Sequence, residues 1–496
     1  MAATHSPTSR SVRWLIPILA IYALLAGLYA IRTPAWQAPD EPAHYNYVQH
    51  LVEERQLPEL RPGDYPVAYL EEIKAARFDP EMSIAPIRYE AHQPPLYYLL
   101  AAPVFALGRA LGMETPLLPL RLFSVALGIA SVAVGYAVVR TALPGRPRLA
   151  WGVAACMATL PMHAAMTGVV NNDVLAGLLL ALVVWQLLLA ERQGWSSRRA
   201  LWLGLLLGLA FLTKLQTYVA AGLVALGWAL DAWRAHKAGN GLGAPIRRGL
   251  LIVVLALALV APWLARNVAV YGWGDPLAMA RHDQVVVGQL TTQELLGEIG
   301  AIAFLKRFAQ TTFQSFWGQF GWMGVLLPTR VYQALALLSG LAFLGVMDAL
   351  PALRGAWRER ATRHNLLLLG AWLALTVAGY LWYNGKYVQH QGRYLYPAII
   401  PLGLLFSLGI ERLVRRRPWW ALILLAALAA GLLVWGVAAG DVKGFALVLL
   451  GGALAAIVVG HEVERRLPGA TLVAVYGAMA GLALWAARTM LPFLRP

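Results

Sequence analysis

The stretch WLIPILAIYALLAGLYAIRTPAWQAPDEPAHYNYV, residues 14–48, joins an apolar run (14–31) to two adjacent carboxylates, Asp40 and Glu41, set between prolines. The run has the length a helix needs to cross the hydrocarbon core of a bilayer. Lipid cannot satisfy backbone N–H and C=O groups, so a spanning segment without strict alternation must be a helix. The two carboxylates then emerge at the membrane face, where neighbouring charges need a physical reason.

The apolar pattern repeats to the end of the chain. With 59% hydrophobic and only 13% charged residues among 496, the composition is that of a polytopic membrane protein. Thirteen spans are expected, at 14–31, 117–139, 149–167, 174–190, 200–212, 215–230, 249–265, 332–350, 365–383, 395–411, 419–437, 444–460 and 470–487. The expected fold class is all-α, one membrane domain over 1–496. The first span lacks a convincing cleavage site and reads as a retained signal anchor. The apolar stretch PPLYYLLAAPVFALGRALG would reverse the side of every later loop if it crossed. It is therefore read as a helix lying in, or dipping into, the outer interface. Two long segments then stand outside, 32–116 and 266–330, and the helices of 395–487 close the chain.

The formal net charge is +16, from 41 basic and 25 acidic residues. If the N-terminus is inside and the spans alternate, one side receives Arg10 and Arg13 with the loops RTALPGRPR, ERQGWSSRR, 231–248, LRGAWRERATR, RLVRRRP and HEVERR. Together these hold 22 of the 41 basic residues and few of the acidic ones. That is the positive-inside asymmetry. The basic balance thus reports topology and leaves no nucleic-acid partner to be explained. It puts the N-terminus in the cytoplasm. The lone cysteine, Cys156, excludes an intrachain disulfide.

Asp40-Glu41-Pro42 starts a helix, with an acidic N-cap and then proline at the first helical position. Helical spacing sets Asp40, His44 and Tyr47 on one side. One carboxylate there could act as general base on a hydroxyl, with its neighbour and His44 orienting it or holding a divalent cation. A capped surface helix is the plainer alternative. RYEAHQPPLYY brings Glu90, His92 and Gln93 to the same face before a Pro-Pro turn. TGVVNNDVLAG puts Asn171, Asn172 and Asp173 at the outer end of the third span, where Asn or Asp also caps the fourth. The same rim carries cations: Arg121, Lys214 in FLTKLQT, Arg266, and Lys386, His390 and Arg393 in YNGKYVQHQGRYLYP. A rim cation commonly snorkels to lipid phosphates. Lys214, however, interrupts an apolar run, where an ammonium faces a cavity or a partner. Several cations facing several acids at one depth suit an anionic ligand entering from the bilayer, and a lipid phosphate fits.

Together these motifs resemble the GT-C superfamily of integral-membrane glycosyltransferases. The nearest likenesses are bacterial members related to protein O-mannosyltransferases and to the aminoarabinose transferase that modifies lipid A. The resemblance rests on Asp40 and Glu41 after the first span, on HQPPLYY, on Asp173, and on QGRYLYP with Arg393. It covers the chain before its last three spans. It departs at His92-Gln93, where the aminoarabinose transferase has a lysine before the prolines. The resemblance implies a GT-C fold and transfer of a sugar, with inversion, from a polyprenyl-phosphate donor to a lipid, glycan or protein hydroxyl on the extracytoplasmic side. It implies Asp40 as the base, with Glu41 and Asp173 also catalytic. Substrate contacts are expected from His44, His92, Gln93, Arg121, Lys214, Arg266, Lys386, His390, Arg393 and Tyr394. Arg393, Lys214 and Arg266 would meet the charge on the leaving phosphate. No cofactor is then obligatory, and a divalent cation near Asp40, Glu41 and His44 stays open. Two other functions fit many of the same features. One is a ligase or polymerase using a diphosphate-linked glycan. The other is a transporter of lipid-linked sugars, which would carry charges along the interior of several helices rather than crowded at one face.

Overall fold

The first apolar run forms α1 (Leu15–Arg32), and Pro42, in the first turn, helps to start α2 (Glu41–Glu53). These elements belong to a computed structural model that describes residues 14–356 and 358–495, the side chains of 352–354 and 356 aside. Arg10 and Arg13 lie outside the described residues. The long segment after α1 continues through α3 (Val67–Ala75) to α4 (Leu96–Ala110). At 15 residues, α4 is about 22 Å long against a hydrocarbon core of about 30 Å. Its Leu99, Leu100 and Leu107 are exposed.

After α5 (Leu117–Ala142), proline shapes the next span. Pro161 disfavours helical backbone at the residue before it, and Leu160 is extended, with φ −68° and ψ 114°. The expected span 149–167 is therefore two helices, α6 (Pro147–Thr159) and α7 (Pro161–Thr167), bent by 66°. Next come α8 (Asp173–Gln193), α9 (Ser197–Phe211), α10 (Val219–Lys237) and α11 (Gly243–Tyr271). The second long segment between spans holds α12 (Met279–Val285), α13 (Thr292–Ile299) and α14 (Ala301–Trp317), then an antiparallel pair of two-residue strands, β1 (Gln319–Phe320) and β2 (Val325–Leu326). Six long helices finish the chain: α15 (Thr329–Ala356), α16 (Arg360–Asn384), α17 (Ile399–Arg416), α18 (Trp419–Ala438), α19 (Gly444–Arg466) and α20 (Ala470–Thr489).

Among the described residues, eleven helices are long and apolar enough to cross a membrane, and the bent α6–α7 pair makes a twelfth if counted as one span. The chain is an integral membrane protein. The expected thirteenth span, 200–212, is α9. At 15 residues, again about 22 Å, it is shorter than these helices, and it leads from the end that holds Arg192 to Lys214 beside Asp173.

Lipid tails are as apolar as leucine, so helices associate in a membrane through close packing rather than through hydrophobic exclusion. The α15–α17 crossing shows this. A Cβ on Gly345 would lie 1.8 Å from the Gly409 oxygen, and one on Gly409 would lie 1.9 Å from the Ala342 oxygen. Only glycine lets the two backbones meet there.

Polar contacts sort the two ends of the bundle. Arg192 donates to the Thr141 and Ala142 oxygens and to Glu359, and Arg234 donates to Glu191. Arg148 lies 3.9 Å from both Glu411 and Glu464, and His461 meets the Val414 oxygen. The basic loops thus gather at one end. Asp40, Asp173 and Arg393 gather at the other.

Candidate active site

The adjacent carboxylates diverge. Asp40 occupies the N-cap position of α2 in left-handed backbone, φ 68°, and its side chain makes no cap hydrogen bond. The acidic cap expected from the sequence is replaced by two other contacts. Asp40 Oδ2 accepts from Arg393 Nη2 at 2.7 Å, and Oδ1 accepts from the Tyr89 hydroxyl at 2.8 Å. Glu41 turns the opposite way and is fully buried. Its two oxygens accept from Arg121 at 2.8 and 2.6 Å, and Oε1 also accepts from the Val170 N–H at 3.1 Å. The remaining Arg121 bonds go to the carbonyl oxygens of Ala30, Thr33 and Pro34. A guanidinium has five N–H donors, and all are engaged. The pair ties together the ends of α1, α2 and α5 and the loop before α8. Both Glu41 oxygens and all the Arg121 donors, expected to meet the substrate, are engaged within the protein.

The QGRYLYP stretch aims Arg393. Gly392 lies so close to α14 that a Cβ would fall 2.3 Å from the Thr312 oxygen and 2.4 Å from the Phe316 nitrogen. Its N–H donates to Ser315 Oγ at 2.7 Å. With the backbone held there, Arg393 donates to Gln391 Oε1 at 2.7 Å, lies over the Tyr394 ring and reaches Asp40. Burial would raise the Asp40 carboxyl, but the Arg393 charge and hydrogen bond, with His44 and Tyr89, outweigh it and hold the group below the usual carboxylate range.

Asp173 opens α8, with its N–H on Asn171 Oδ1 at 2.9 Å. Because α9 ends at Phe211, the chain after it can deliver Lys214 in extended backbone. Lys214 Nζ donates to Asp173 Oδ1 at 2.6 Å, and Gln216 donates to the same oxygen at 2.9 Å. His44 meets the Tyr98 hydroxyl at 2.8 Å and lies within the fields of Glu90, Lys214, Asp40 and Asp173. Burial lowers its pKa, which favours the neutral ring. Among the described residues, one buried Glu90 oxygen has no hydrogen-bond partner. His92 and Gln93 form a wall: His92 Nδ1 meets the Tyr89 oxygen at 3.0 Å, Gln93 donates to His92 Nε2, and Asn172 donates to Gln93 Oε1. Burial, reinforced by His282, pushes His92 down to about 3.

Three expected ligand contacts have other partners. Arg266 donates to the Pro58 oxygen at 2.5 Å and lies over the Trp263 and Tyr271 rings. Lys386 is exposed and paired with Asp283 at 2.6 Å. His390 packs against the edges of Phe304 and Phe308. Among the described residues no group of three or more His, Cys, Asp and Glu side chains is arranged to hold a metal. The trio considered for a divalent cation does not converge, because Glu41 faces Arg121. The sequence reading gave no role to Tyr89, Tyr98, Gln216 or Glu90. Lys214 offered a pointer to Gln216, two residues on, but the tyrosines looked like ordinary interface aromatics. A cavity of about 50 Å³ adjoins Asp173, Gln216 and Arg393 and is lined further by apolar side chains, among them Met157, Met166, Trp372 and Ile400.

The family described as dolichyl-phosphate-mannose-protein mannosyltransferase matches this chain over residues 92–265. Among curated proteins, none matches by sequence. Among solved structures, ArnT from Cupriavidus metallidurans bound to undecaprenyl phosphate superposes with a TM-score of 0.53 at 17% identity, over 97% of this chain and 78% of that one. The apo form of the same protein gives 0.53 at 17% identity, over 96% and 78%. The Archaeoglobus fulgidus oligosaccharyltransferase tethered with an acceptor peptide gives 0.46 at 13% identity, over 94% and 55%. The chain thus shares the ArnT fold over nearly its whole length, and it resembles the GT-C glycosyltransferases of the ArnT and protein-mannosyltransferase kind.

Proposed function

We propose that this protein is a glycosyltransferase that moves a sugar from a polyprenyl-phosphate donor to an acceptor hydroxyl, with inversion, on the extracytoplasmic side of a bacterial-type inner membrane. One observation carries the reading. Buried Arg393 lines an apolar-walled cavity together with Asp173, which holds the half-buried Lys214, and each cation is paired with a carboxylate, Arg393 with Asp40 and Lys214 with Asp173. The undecaprenyl phosphate bound in a protein of the same fold supports a lipid phosphate as the ligand.

A lipid phosphate at this position competes with Asp40 for Arg393 and with Asp173 for Lys214. As the guanidinium turns to the phosphate, the Asp40 carboxylate loses the partner that depresses its basicity. The acceptor oxygen attacks the sugar C1 and passes its proton to Asp40, while the C1–O bond to phosphate breaks and its electron pair leaves on the phosphate. Arg393 and Lys214 stabilise the charge that grows there. Glu90, with its unpartnered oxygen, is placed to accept from a sugar hydroxyl. The acceptor is a lipid, glycan or protein, and no step needs a metal.

Arg393→Ala is expected to weaken polyprenyl-phosphate binding by about tenfold to hundredfold, since one charge-assisted contact contributes about 1.5–3 kcal/mol. Arg393→Lys should recover part of the loss, because lysine lacks the planar fork. Binding measured on the purified variants, with thermal melting in parallel, checks this. Wild-type affinity in a folded alanine variant would remove the phosphate from Arg393.

The orientation follows the basic loops. In a Cys156→Ala background, cysteines at positions 146 and 416 should resist a membrane-impermeant thiol reagent added from outside. Strong labelling of intact cells at either position would invert the topology.

A further inference from the structure

The basic end carries two hollows that differ in how far their charges are answered. One, about 640 Å³, is lined by Arg146, Arg148, Arg412, Arg415 and Arg416. Acids already meet most of these cations: Asp348 takes Arg412 at 2.7 Å, Glu411 takes Arg415 at 3.0 Å, and Arg148 lies between Glu411 and Glu464.

The other, about 740 Å³, lies between the α10–α11 hairpin and the start of α16. Arg234, Lys237, Arg248, Arg360 and Arg363 line it, with Asp231 as the one acid in the lining. Asp231 pairs with Arg248 and stands 3.7 Å from Arg234, which also donates to Glu191 at 2.8 Å. Among the described residues Lys237, Arg360 and Arg363 have no carboxylate partner, and the Lys237 ammonium lies 6.0 Å from the centre of the Trp233 ring. Three unanswered cations around one hollow repel each other until an anion enters.

The surroundings say which kind of anion. The helices α10, α11 and α16 are membrane spans that end here. Trp233 lines the hollow and is 49% exposed, and Leu242, Ile246 and Leu250 expose apolar surface on the first part of α11. Exposed aromatic and apolar groups beside a basic hollow mark the level of lipid headgroups, where basic pockets between spans hold anionic lipids. A soluble anion would need the charges but not the apolar flank.

We infer that the hollow formed by Lys237, Arg360 and Arg363 beside Trp233 binds the phosphate headgroup of an anionic phospholipid. This is independent of the sugar-transfer site at the other end of the molecule.

The test uses the full chain in detergent, titrated with phosphatidylglycerol, with phosphatidylcholine, or with inorganic phosphate, while bound lipid is counted by native mass spectrometry and stability is read by thermal melting. Phosphatidylglycerol should bind and raise the melting temperature, and phosphatidylcholine should not. Raising the salt should weaken the effect. The triple variant Lys237→Gln, Arg360→Gln, Arg363→Gln should bind phosphatidylglycerol at least about tenfold more weakly. These cations have no carboxylate partner to leave unpaired, so the variant should fold, and its polyprenyl-phosphate binding should match wild type. A paired control, Arg146→Gln with Arg416→Gln, should keep the phosphatidylglycerol response. Equal responses to the two lipids, an undiminished response in the triple variant, or stabilisation by inorganic phosphate alone would each overturn the assignment.

Discussion

Replacing Asp40 with Asn is expected to slow sugar transfer by about a hundredfold to ten-thousandfold, the usual cost of losing a general base, while polyprenyl-phosphate binding persists. The amide keeps the carboxylate's shape but cannot take the proton from the acceptor hydroxyl. Asparagine also tolerates the left-handed backbone that Asp40 adopts, φ 68°. No cap is lost, because the Asp40 side chain makes no cap hydrogen bond. What is lost is one half of an ion pair whose Asp40 side is still 27% exposed, and Arg393 keeps Gln391 and the Tyr394 ring. A modest fall in melting temperature should accompany the large fall in turnover. Transfer from a purified polyprenyl-phosphate sugar, with binding measured on the same sample, separates the two. Near-normal turnover would take the base away from Asp40 and direct attention to Asp173.

Glu41→Gln should fail differently, although it changes the next residue in the same way. Glu41 is fully buried against Arg121, and removing one charge of such a pair costs about 3–5 kcal/mol because the other is left without compensation. A loss of that size is a large fraction of the stability of most folded proteins. The expected result is a steep drop in melting temperature and yield, with turnover per folded molecule near wild type. Arg121→Gln should do the same and in addition release the Ala30, Thr33 and Pro34 carbonyls. Lost turnover at unchanged stability in Glu41→Gln would place that carboxylate at the reacting centre.

The contrast shows where sequence reading reaches its limit. Apolar runs report membrane helices because lipid imposes one solution on the backbone, and arginine-rich loops report one end of the bundle because charge resists translocation. Lys214 was conspicuous because an ammonium inside an apolar run is costly, and it pairs with Asp173. By contrast, nothing in Asp-Glu-Pro says that the first carboxylate turns toward Arg393 and the second toward Arg121. That depends on a φ of 68° at Asp40 and on contacts 353 and 80 residues away in sequence. Arg266 matched the rim cations in depth and charge, but its partner is a carbonyl oxygen 208 residues distant. The apolar pattern runs on through Pro161, so it does not show the 66° bend that divides 149–167 into two helices. Gly392 carries no signal of its own. Its meaning appears only when α14 is found packed against it.

The placement of the donor phosphate is tested most directly by a cryo-EM map of the protein with polyprenyl phosphate bound. The expected result is headgroup density within hydrogen-bond reach of both Arg393 and Lys214, with the Arg393 guanidinium drawn away from Asp40. A headgroup held instead at Arg266 or Lys386, with the Arg393–Asp40 pair intact, would contradict it.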